Sequence, residues 1–214
     1  MRYLGALARS KALLNGKLPS SYKRIVEMIP QRAQVLDLGC GDGWFLGFLK
    51  KYRQAKAHGI EISEEGARKC FERGLSVYQS DIDEGLQDYP DLSFDVVLLL
   101  DTLPLLKRPE VVLHEMVRVG KVAIITFANA GYLPIRLEFL LKGKLRFSMD
   151  YGKDWWNASV IHPVTFKQFE RFLERSDIRV LEKRTFVQNR EVRLPGFFAN
   201  MLGQEGLFAI AKKR

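Results

Sequence analysis

The sequence predicts one α/β domain built on a doubly wound, mostly parallel sheet. The first observation is an apolar stretch that runs into alternate glycines, Val-Leu-Asp-Leu-Gly-Cys-Gly-Asp-Gly from Val35 to Gly43, before a helical pattern from Trp44. The second is that further short apolar stretches alternate with amphipathic helical patterns. The third is the length of 214 residues, which suits one well-buried core. Such alternation is typical of βαβ units with parallel strands.

The chain before this glycine turn is predicted to form an N-terminal helical cap over residues 1–34. Its apolar residues recur at helical spacing on either side of a break from Gly16 to Pro19, and Pro30 closes the second helix. Residues 35–214 then form the main domain. The cap could cover a ligand from above, although packing against the sheet explains the same spacing.

The formal net charge of +9 is unevenly distributed along the chain. Residues 1–34 carry seven basic and one acidic side chain, residues 35–131 carry 11 and 15, and residues 132–214 carry 16 and nine. The acidic middle suits a cationic ligand, and we interpret the basic flanks as a solvated surface. Nucleic-acid binding is disfavoured, because no aromatic and basic stacking pattern accompanies the charge.

No segment of the sequence is predicted to span a membrane or to act as a leader. The longest apolar run, Phe94 to Leu100, is too short for a bilayer, and residues 1–18 lack a continuous apolar core. We therefore expect a soluble cytoplasmic protein. Cys40 and Cys70 lack the spacing of a disulfide framework, and no grouping of His, Cys and carboxylates predicts a metal site.

The glycine turn indicates a ligand with both charges. Gly39, Gly41 and Gly43 remove side chains where the backbone turns, so that an anionic group can lie against bare amides at a helix N-terminus. A dinucleotide fingerprint has its third glycine one residue later, and Asp37 would repel a pyrophosphate. An acid here suits a zwitterion, whose ammonium reaches the carboxylate. S-adenosylmethionine (SAM) ends in such an amino acid; a turn without a ligand is the alternative.

The stretch from Val35 to Gly43 also resembles the first motif of the class I SAM-dependent methyltransferases. The resemblance implies a Rossmann-like sheet of seven mostly parallel strands with an antiparallel last strand, and we expect the last two strands at residues 178–187 and 207–211. NAD-binding oxidoreductases are disfavoured by the glycine spacing. The turn residues that would bind SAM are Asp37, Gly39, Cys40, Gly41 and Gly43.

Acidic residues follow the next two predicted strands. Glu61 ends the second strand at a largely open edge, next to the first strand, where it would accept hydrogen bonds from both ribose hydroxyls of SAM. Asp81 follows the third strand and would accept one from the adenine amine. Ile62 and Ile82 could sandwich the adenine ring, although Ile82 suits the apolar core equally well.

The fourth apolar stretch is expected to be a central strand that ends at Leu100. Strand ends at the crevice of such sheets carry the reacting groups, so Asp101 and Thr102 are candidate catalytic residues. Many class I enzymes that methylate small molecules have a Glu-His pair shortly after this strand. This chain has Leu103 and Pro104 there, so the usual base is missing.

Longer segments resemble the MetW family of methionine-biosynthesis proteins. These segments are Asp81 to Leu86, Glu115 to Asn129, Gly131 to Phe147, Ile161 to Phe169 and Leu194 to Arg214. The resemblance spans nearly the whole chain, although Pro104 replaces the usual Gln of that family. It implies a link to methionine biosynthesis and homoserine O-acyltransferase as a partner.

Residues 132–163 are predicted to form a substrate lid, because they interrupt the βα alternation. Trp155 and Trp156 would wall a pocket for an apolar or planar acceptor, or pack in the core under the lid. A basic amphipathic helix on a membrane is the disfavoured alternative for this segment.

His162 ends the predicted lid, three residues before the expected helix N-cap Thr165. Gln168 would complete a capping box with Thr165. A histidine beside a cap is usually structural, but its position at the end of the lid makes His162 a candidate acid or base.

Two functions fit these predictions. The first is an enzyme that transfers the methyl group of SAM to a small-molecule acceptor beside Asp101 and Thr102. The second is a non-catalytic SAM-binding partner or sensor of homoserine O-acyltransferase. Both require the same SAM pocket.

Overall fold

The computed structural model describes residues 18–143 and 162–213. These residues form one sheet of eight strands, flanked by helices on both faces. The strands are β1 (Gln34–Leu38), β2 (Lys56–Glu61), β3 (Ser76–Gln79), β4 (Phe94–Leu100), β5 (Gly120–Ala128), β6 (Ile178–Val187), β7 (Arg190–Val192) and β8 (Glu205–Lys212). The helices are α1 (Ser20–Met28), α2 (Trp44–Arg53), α3 (Glu64–Glu72), α4 (Pro109–Val119), α5 (Leu133–Lys142), α6 (Phe166–Arg175) and α7 (Gly196–Leu202).

The strand order in the sheet is β3-β2-β1-β4-β5-β8-β6-β7. Strands β1 to β5 pair in parallel, and β8 lies antiparallel between β5 and β6. The order reverses between β1 and β4, so the chain leaves these two neighbouring strands in opposite directions. In such sheets the ligand crevice lies at this point, outside the carboxyl ends of the strands. The doubly wound fold and its antiparallel last strand are confirmed.

The sheet has one strand more than the predicted seven. After β6 the chain turns through Gln188 and Asn189, whose φ angles are 46° and 61°, and β7 pairs antiparallel with β6. Two successive residues with positive φ give the turn that two-residue hairpins favour, and Asn tolerates this conformation better than most residues. The prediction missed β7 because its three residues are too few to make an alternating pattern.

The core lies on both faces of the sheet. On one face α1 buries Tyr22, Ile25 and Ile29 against β1 and α2. On the other face the helices α4 and α6 cover β4, β5 and β8. Of the predicted N-terminal cap, the described part is therefore α1, which packs against the sheet; residues 1–17 lie outside the described part of the chain. Within the two described ranges, no helix is long and apolar enough to cross a bilayer.

Candidate functional site

The carboxyl ends of β1, β2 and β4 bring the predicted site residues to one edge of the sheet. Asp37 in β1 pairs in register with Gly59 of β2 and with Leu98 of β4. The glycine turn follows β1, Glu61 ends β2, and Asp101 follows β4. Because parallel strands end at the same edge, residues far apart in sequence converge there.

Thr102 contacts the glycine turn directly. Gly39 has a φ of 76°, and a Cβ atom built on it would lie 2.8 Å from Oγ1 of Thr102. Only glycine fits this combination of conformation and contact. Gly43 has a φ of 71° and is the N-cap residue of α2. The structure therefore packs the end of β4 against the turn, which places Thr102 beside the predicted SAM ligands.

The amide groups of the turn are bonded within the protein. The amides of Gly39 and Cys40 both donate to the carbonyl of Ile60, at 2.8 and 3.1 Å. The Gly41 amide donates to Oε2 of Glu61 at 2.8 Å, and the Gly43 amide donates to the carbonyl of Cys40 at 3.1 Å. This differs from the expectation that these amides face an anionic group. The turn folds over the end of β2, where three of these amides donate to backbone carbonyls and the Gly41 amide donates to the Glu61 side chain.

Glu61 is buried, although the sequence predicted an open edge. The residue is 1% exposed, and its Oε1 atom accepts from the Ser63 amide at 2.8 Å. Gly66 makes this position possible, because a Cβ atom there would lie 2.8 Å from the Glu61 side chain. Burial raises the pKa of Glu61, and the backbone hydrogen bonds from Ser63 and Gly41 oppose that rise.

Asp37 is also buried, at 4% exposure, so two buried carboxylates lie at the carboxyl ends of the neighbouring strands β1 and β2. Charged carboxylates are retained in the interior only when they are hydrogen-bonded or paired. The Glu61 carboxylate accepts from the amides of Gly41 and Ser63, and a backbone hydrogen bond from Ile62 also lowers its pKa. Since a carboxylate offers about four acceptor positions, capacity for a further donor remains. These two carboxylates fit a ligand that brings hydroxyls and an ammonium, as SAM does. The amides of Gly39, Cys40, Gly41 and Gly43 are bonded within the protein and do not face the carboxylate of that ligand.

The two residues predicted to sandwich the adenine ring, Ile62 and Ile82, differ in their exposure. Ile82 is 8% exposed and belongs to the apolar core, which is the alternative that the sequence left open, whereas Ile62 is 51% exposed. Oδ1 of Asp81 accepts from the Asp83 amide at 3.0 Å, and Oδ2 lies 3.6 Å from Nζ of Lys107. Asp81 therefore already acts as the cap of a short turn, with its second oxygen toward solvent-exposed Lys107.

Asp101 adopts a conformation that the sequence did not indicate. Its φ is 54°, and its amide donates to the carbonyl of Thr126 at 2.9 Å. Residues other than glycine enter this left-handed region at an energetic cost, and such residues cluster at functional sites. The hydroxyl of Thr102 donates to the carbonyl of Leu100 at 3.2 Å. These two residues thus form a sharp, strained exit from β4 at the crevice.

His162 lies against the same exit from β4. Its amide donates to the carbonyl of Pro104 at 3.1 Å. Within the described part of the chain, its buried Nε2 atom has no hydrogen-bond partner. The predicted capping box is confirmed, because Thr165 Oγ1 accepts from the Gln168 amide and Oε1 of Gln168 accepts from the Thr165 amide. The end of the predicted lid is therefore attached to the turn after β4.

Two buried polar residues that support the site were missed. Asn129 is fully buried; its amide group donates to the carbonyls of Asn200 and Gly203, and its oxygen accepts from the Gly131 amide. Asp83 accepts from the amides of Lys107 and Arg108 at 3.0 and 2.7 Å. These residues fix the segments that follow β5 and β3. The available signal was that both residues lie within segments that resemble the MetW family, Asp81 to Leu86 and Glu115 to Asn129.

The remaining predictions fall partly outside the described ranges. Of the predicted lid, residues 132–143, which contain α5, and residues 162–163 are described, while Trp155 and Trp156 lie outside the described residues. Among the described residues, no group of three metal-ligating side chains could hold a metal ion.

Comparison with known proteins identifies the family. The family model described as methionine biosynthesis protein MetW matches residues 20–210. A bifunctional methionine biosynthesis protein MetXA/MetW of Rhodopirellula baltica is 32% identical over 143 residues, which are 63% of this chain and 23% of the relative. A fatty-acid O-methyltransferase of Mycolicibacterium smegmatis is 33% identical over 91 residues, 40% of this chain and 32% of that protein. The chain thus spans less than a third of either relative.

Solved structures share the fold at low sequence identity. A putative methyltransferase in complex with the Trm112 methyltransferase activator of Haloferax volcanii has a TM-score of 0.65 and 15% identity, with 91% of this chain and 90% of that chain covered. A SAM-dependent methyltransferase of Thermotoga maritima, a possible histamine N-methyltransferase, has a TM-score of 0.61 and 20% identity, with 91% and 88% covered. The chain therefore has the fold of the class I SAM-dependent methyltransferases and belongs to the MetW family.

Proposed function

We propose that this protein binds SAM at the carboxyl ends of β1 to β3 and transfers its methyl group to a small-molecule acceptor. The observation that carries the proposal is the pair of buried carboxylates, Asp37 and Glu61, at neighbouring strand ends beside the glycine turn. A site with buried carboxylates and remaining acceptor capacity favours a ligand with an ammonium and hydroxyls over a pyrophosphate.

Three carboxylates at the strand ends would have separate roles in binding SAM. Asp37 would hold the ammonium of SAM, Glu61 would accept from the ribose hydroxyls, and Asp81 would accept from the adenine amine. Glu61 also holds the Gly41 amide at 2.8 Å, so ribose binding and the shape of the turn depend on the same carboxylate. SAM supplies an activated methyl group on a sulfonium, so the protein's main contribution is to orient the acceptor.

The acceptor would lie beside Asp101 and Thr102, at the strained exit from β4. A base is needed only when the acceptor must lose a proton before or during transfer. His162 is the candidate for that role, because its amide is bonded to Pro104 and its Nε2 atom is buried without a partner among the described residues. Closure of residues 132–163 over the acceptor stays a prediction.

The link to methionine biosynthesis is supported by family membership and by the relative from Rhodopirellula baltica. That relative's name joins MetXA and MetW in one protein. We infer that this chain acts beside homoserine O-acyltransferase, the partner that the sequence resemblance implies. A cytoplasmic location is part of the same proposal.

A second candidate function is a SAM-binding subunit or sensor without methyl transfer. Leu103 and Pro104 replace the usual base after β4, and the relative that joins MetXA with MetW favours a role in an assembly. Leu140 and Leu141 on α5 are 76% and 77% exposed, and such a surface suits a protein partner. In this case the basic segment from Arg136 to Arg146 would contact the acyltransferase, and its association would weaken steeply with salt.

A radiolabelled methyl-transfer assay with cell extract as the acceptor pool distinguishes the two functions. We expect label in a small molecule with the wild-type protein and little label with Glu61→Gln, which keeps the size of the side chain. Losing the ribose contacts should weaken SAM binding by about 1 to 3 kcal/mol. Glu64→Gln, at an exposed position three residues later, is the matched control and should retain transfer.

Tight SAM binding without label in any fraction, together with activation of the acyltransferase, would contradict the enzyme and support the sensor. Equal transfer by wild type and Glu61→Gln would contradict the assignment of Glu61. Circular dichroism of both variants establishes that they are folded.

A further inference from the structure

The two cysteines of the chain meet beneath the glycine turn. The Sγ atoms of Cys40 and Cys70 lie 3.9 Å apart, although 30 residues separate them in sequence. Cys40 is the central residue between Gly39 and Gly41, and Cys70 lies in α3. Both are free thiols, Cys40 half-buried and Cys70 buried. The sequence could not reveal this pair, because its spacing matches no disulfide or metal motif.

Two glycines make the space that the thiols occupy. A Cβ atom at Gly59 would lie 2.5 Å from Sγ of Cys40, and one at Gly43 would lie 2.7 Å from Sγ of Cys70. Any side chain at either position would push a sulfur out of place. The packing of β2 and of the N-terminus of α2 therefore brings the two sulfurs into contact.

The thiols are also connected to the predicted SAM ligands. The Cys70 thiol donates to the carbonyl of Gly41 at 3.4 Å, and the amide of the same Gly41 donates to Glu61 at 2.8 Å. A change at the sulfurs is thus transmitted through one peptide unit to the carboxylate that we assign to the ribose.

We propose that Cys40 and Cys70 form a reversible disulfide on exposure to peroxide, and that this bond weakens SAM binding at the glycine turn. The first half stands on the sulfur geometry alone. The second half rests on the proposed function, because it assumes that SAM binds at the turn.

The oxidation is balanced with peroxide as the oxidant. Sγ of the half-buried Cys40 attacks one peroxide oxygen; the O–O bond breaks, and Cys40 becomes a sulfenic acid with release of one water. Sγ of Cys70 then attacks the Cys40 sulfur. The S–S bond forms, the S–O bond breaks, and the hydroxyl leaves with the Cys70 proton as a second water. The two thiols together lose two electrons and two protons, and a dithiol reductant reverses the reaction.

The disulfide requires a movement of the turn. An S–S bond is about 2.05 Å long, so the sulfurs must approach each other by about 1.9 Å. Cys70 is fixed within α3, whereas Cys40 lies between two glycines with φ angles of 76° and 60°. The turn is therefore the part that moves. Oxidation also removes the thiol proton that Cys70 donates to Gly41, so the Gly41 peptide loses one of its two anchors.

The chemistry predicts slow oxidation at neutral pH. The hydrogen bond with Cys70 and burial both raise the pKa of Cys40. Because thiolates react and thiols do not, the rate of oxidation should rise with pH. Bound SAM should also disfavour the disulfide at equilibrium with a dithiol, since the coupling of two equilibria is reciprocal.

The test treats the reduced wild-type protein with hydrogen peroxide and analyses its tryptic peptides without reduction by mass spectrometry. We expect a peptide pair that links Cys40 to Cys70, lighter by two hydrogens, and its loss after dithiothreitol. Absence of this pair, with Cys40 further oxidised to a sulfinic acid or with links only between different molecules, would overturn the disulfide. This readout does not depend on SAM binding.

The regulatory half is tested by calorimetric titration of the same samples with S-adenosylhomocysteine. We expect at least tenfold weaker binding after oxidation, with recovery after dithiothreitol. Cys70→Ser, which retains a hydroxyl near Gly41, should form no link and should lose less affinity on the same treatment. A linked protein that binds as tightly as the reduced one would overturn the regulatory half. Absence of binding by the reduced protein would instead contradict the proposed function, and the mass measurement would still decide the disulfide.

Discussion

Glu61 shows how a single residue serves both fold and site. Its two oxygens accept the amides of Gly41 and Ser63 at 2.8 Å each, which fixes the glycine turn to the start of α3. The same carboxylate is almost fully buried, and its pKa is raised because burial disfavours its charged form. A carboxyl group in the interior, where burial disfavours its charged form, is a candidate ligand residue.

The pKa of Glu61 leads to a prediction about stability and pH. The usual pKa of a Glu side chain is 4.5, and the pKa of Glu61 is raised in the folded state. The folded protein therefore binds this proton more tightly than the unfolded chain does. The contribution of Glu61 to the free energy of unfolding is therefore most favourable below about pH 4.5 and is lost as the pH rises through the raised value. Glu61→Gln cannot ionise, and its NH2 group would face one of the two amides that the carboxylate accepts, so the pH dependence of its stability, and not its stability at one pH, reports on the buried charge.

The melting temperature of wild type relative to that of Glu61→Gln should rise as the pH falls toward 4, because protonation removes the cost of the buried charge only in wild type. Thermal unfolding followed by circular dichroism at a series of pH values measures it. A wild-type protein that loses stability relative to Glu61→Gln as the pH falls would mean that the two amide bonds outweigh the cost of burial. Glu64→Gln, an exposed control on α3, should show little change at any pH.

For single residues, the sequence predicted the position in the fold better than the burial or the backbone conformation. Asp37, Glu61 and Asp101 all lie at the strand ends where the alternation of strands and helices placed them. The burial of Glu61 was missed because it depends on Gly66, one turn later in α3, which lets the helix approach the carboxylate. The positive φ of Asp101 leaves no signal in a residue that is not glycine.

Among the elements, α6 shows how a local signal holds distant parts together. The capping box of Thr165 and Gln168 starts the helix, and the helix then buries Phe166, Phe169 and Leu173 under the sheet. The amide of Phe166 points to the oxygen of Asn129 at 3.4 Å, which connects the helix start to the end of β5. In sequence, the N-cap Thr165 therefore lies between His162 and the first core residue of α6, Phe166.

Removal of this cap should destabilise the protein measurably. Thr165→Ala deletes the oxygen that accepts the Gln168 amide, and N-cap losses of this kind cost about 1 kcal/mol, within a range of roughly 0.5 to 2 kcal/mol. Urea unfolding measures the change in the free energy of unfolding. Thr165→Ser keeps the hydroxyl and should lose less. Equal losses in both variants would show that the methyl group of Thr165, and not its hydroxyl, matters.

The predictability of the elements followed their length and their contacts. The capping box was predicted because Thr165 and Gln168 carry the whole signal within four residues. Strand β7 was missed because its three residues make no alternating pattern and the contacts that hold its hairpin with β6 are distant in sequence. Asn189 accepts the Ser20 amide at 2.6 Å, and Glu182 of β6 pairs with Arg24 of α1 at 2.8 Å. Such contacts between chain segments over 150 residues apart are invisible to a local pattern.

For the whole molecule, the order of the strands decides where chemistry can occur. The reversal between β1 and β4 opens a crevice at their carboxyl ends, and Thr102 contacts Gly39 across it. The sequence predicted this architecture because each βα unit has its own apolar pattern and the connections in such folds are regular. It could not predict that the turn amides are bonded internally, since those bonds depend on the exact approach of β2 to the turn.

Calorimetric titration of the reduced protein with S-adenosylhomocysteine, and separately with NAD, tests the central claim most directly. We predict one site for S-adenosylhomocysteine, no binding of NAD, and at least tenfold weaker binding by Asp37→Asn, because a charge-assisted contact to the ammonium contributes roughly 1.5 to 3 kcal/mol. Asp88→Asn, at an exposed position away from the strand ends, should bind as wild type does. Binding of NAD without binding of S-adenosylhomocysteine, or unchanged affinity in a folded Asp37→Asn variant, would contradict the SAM site proposed at the glycine turn.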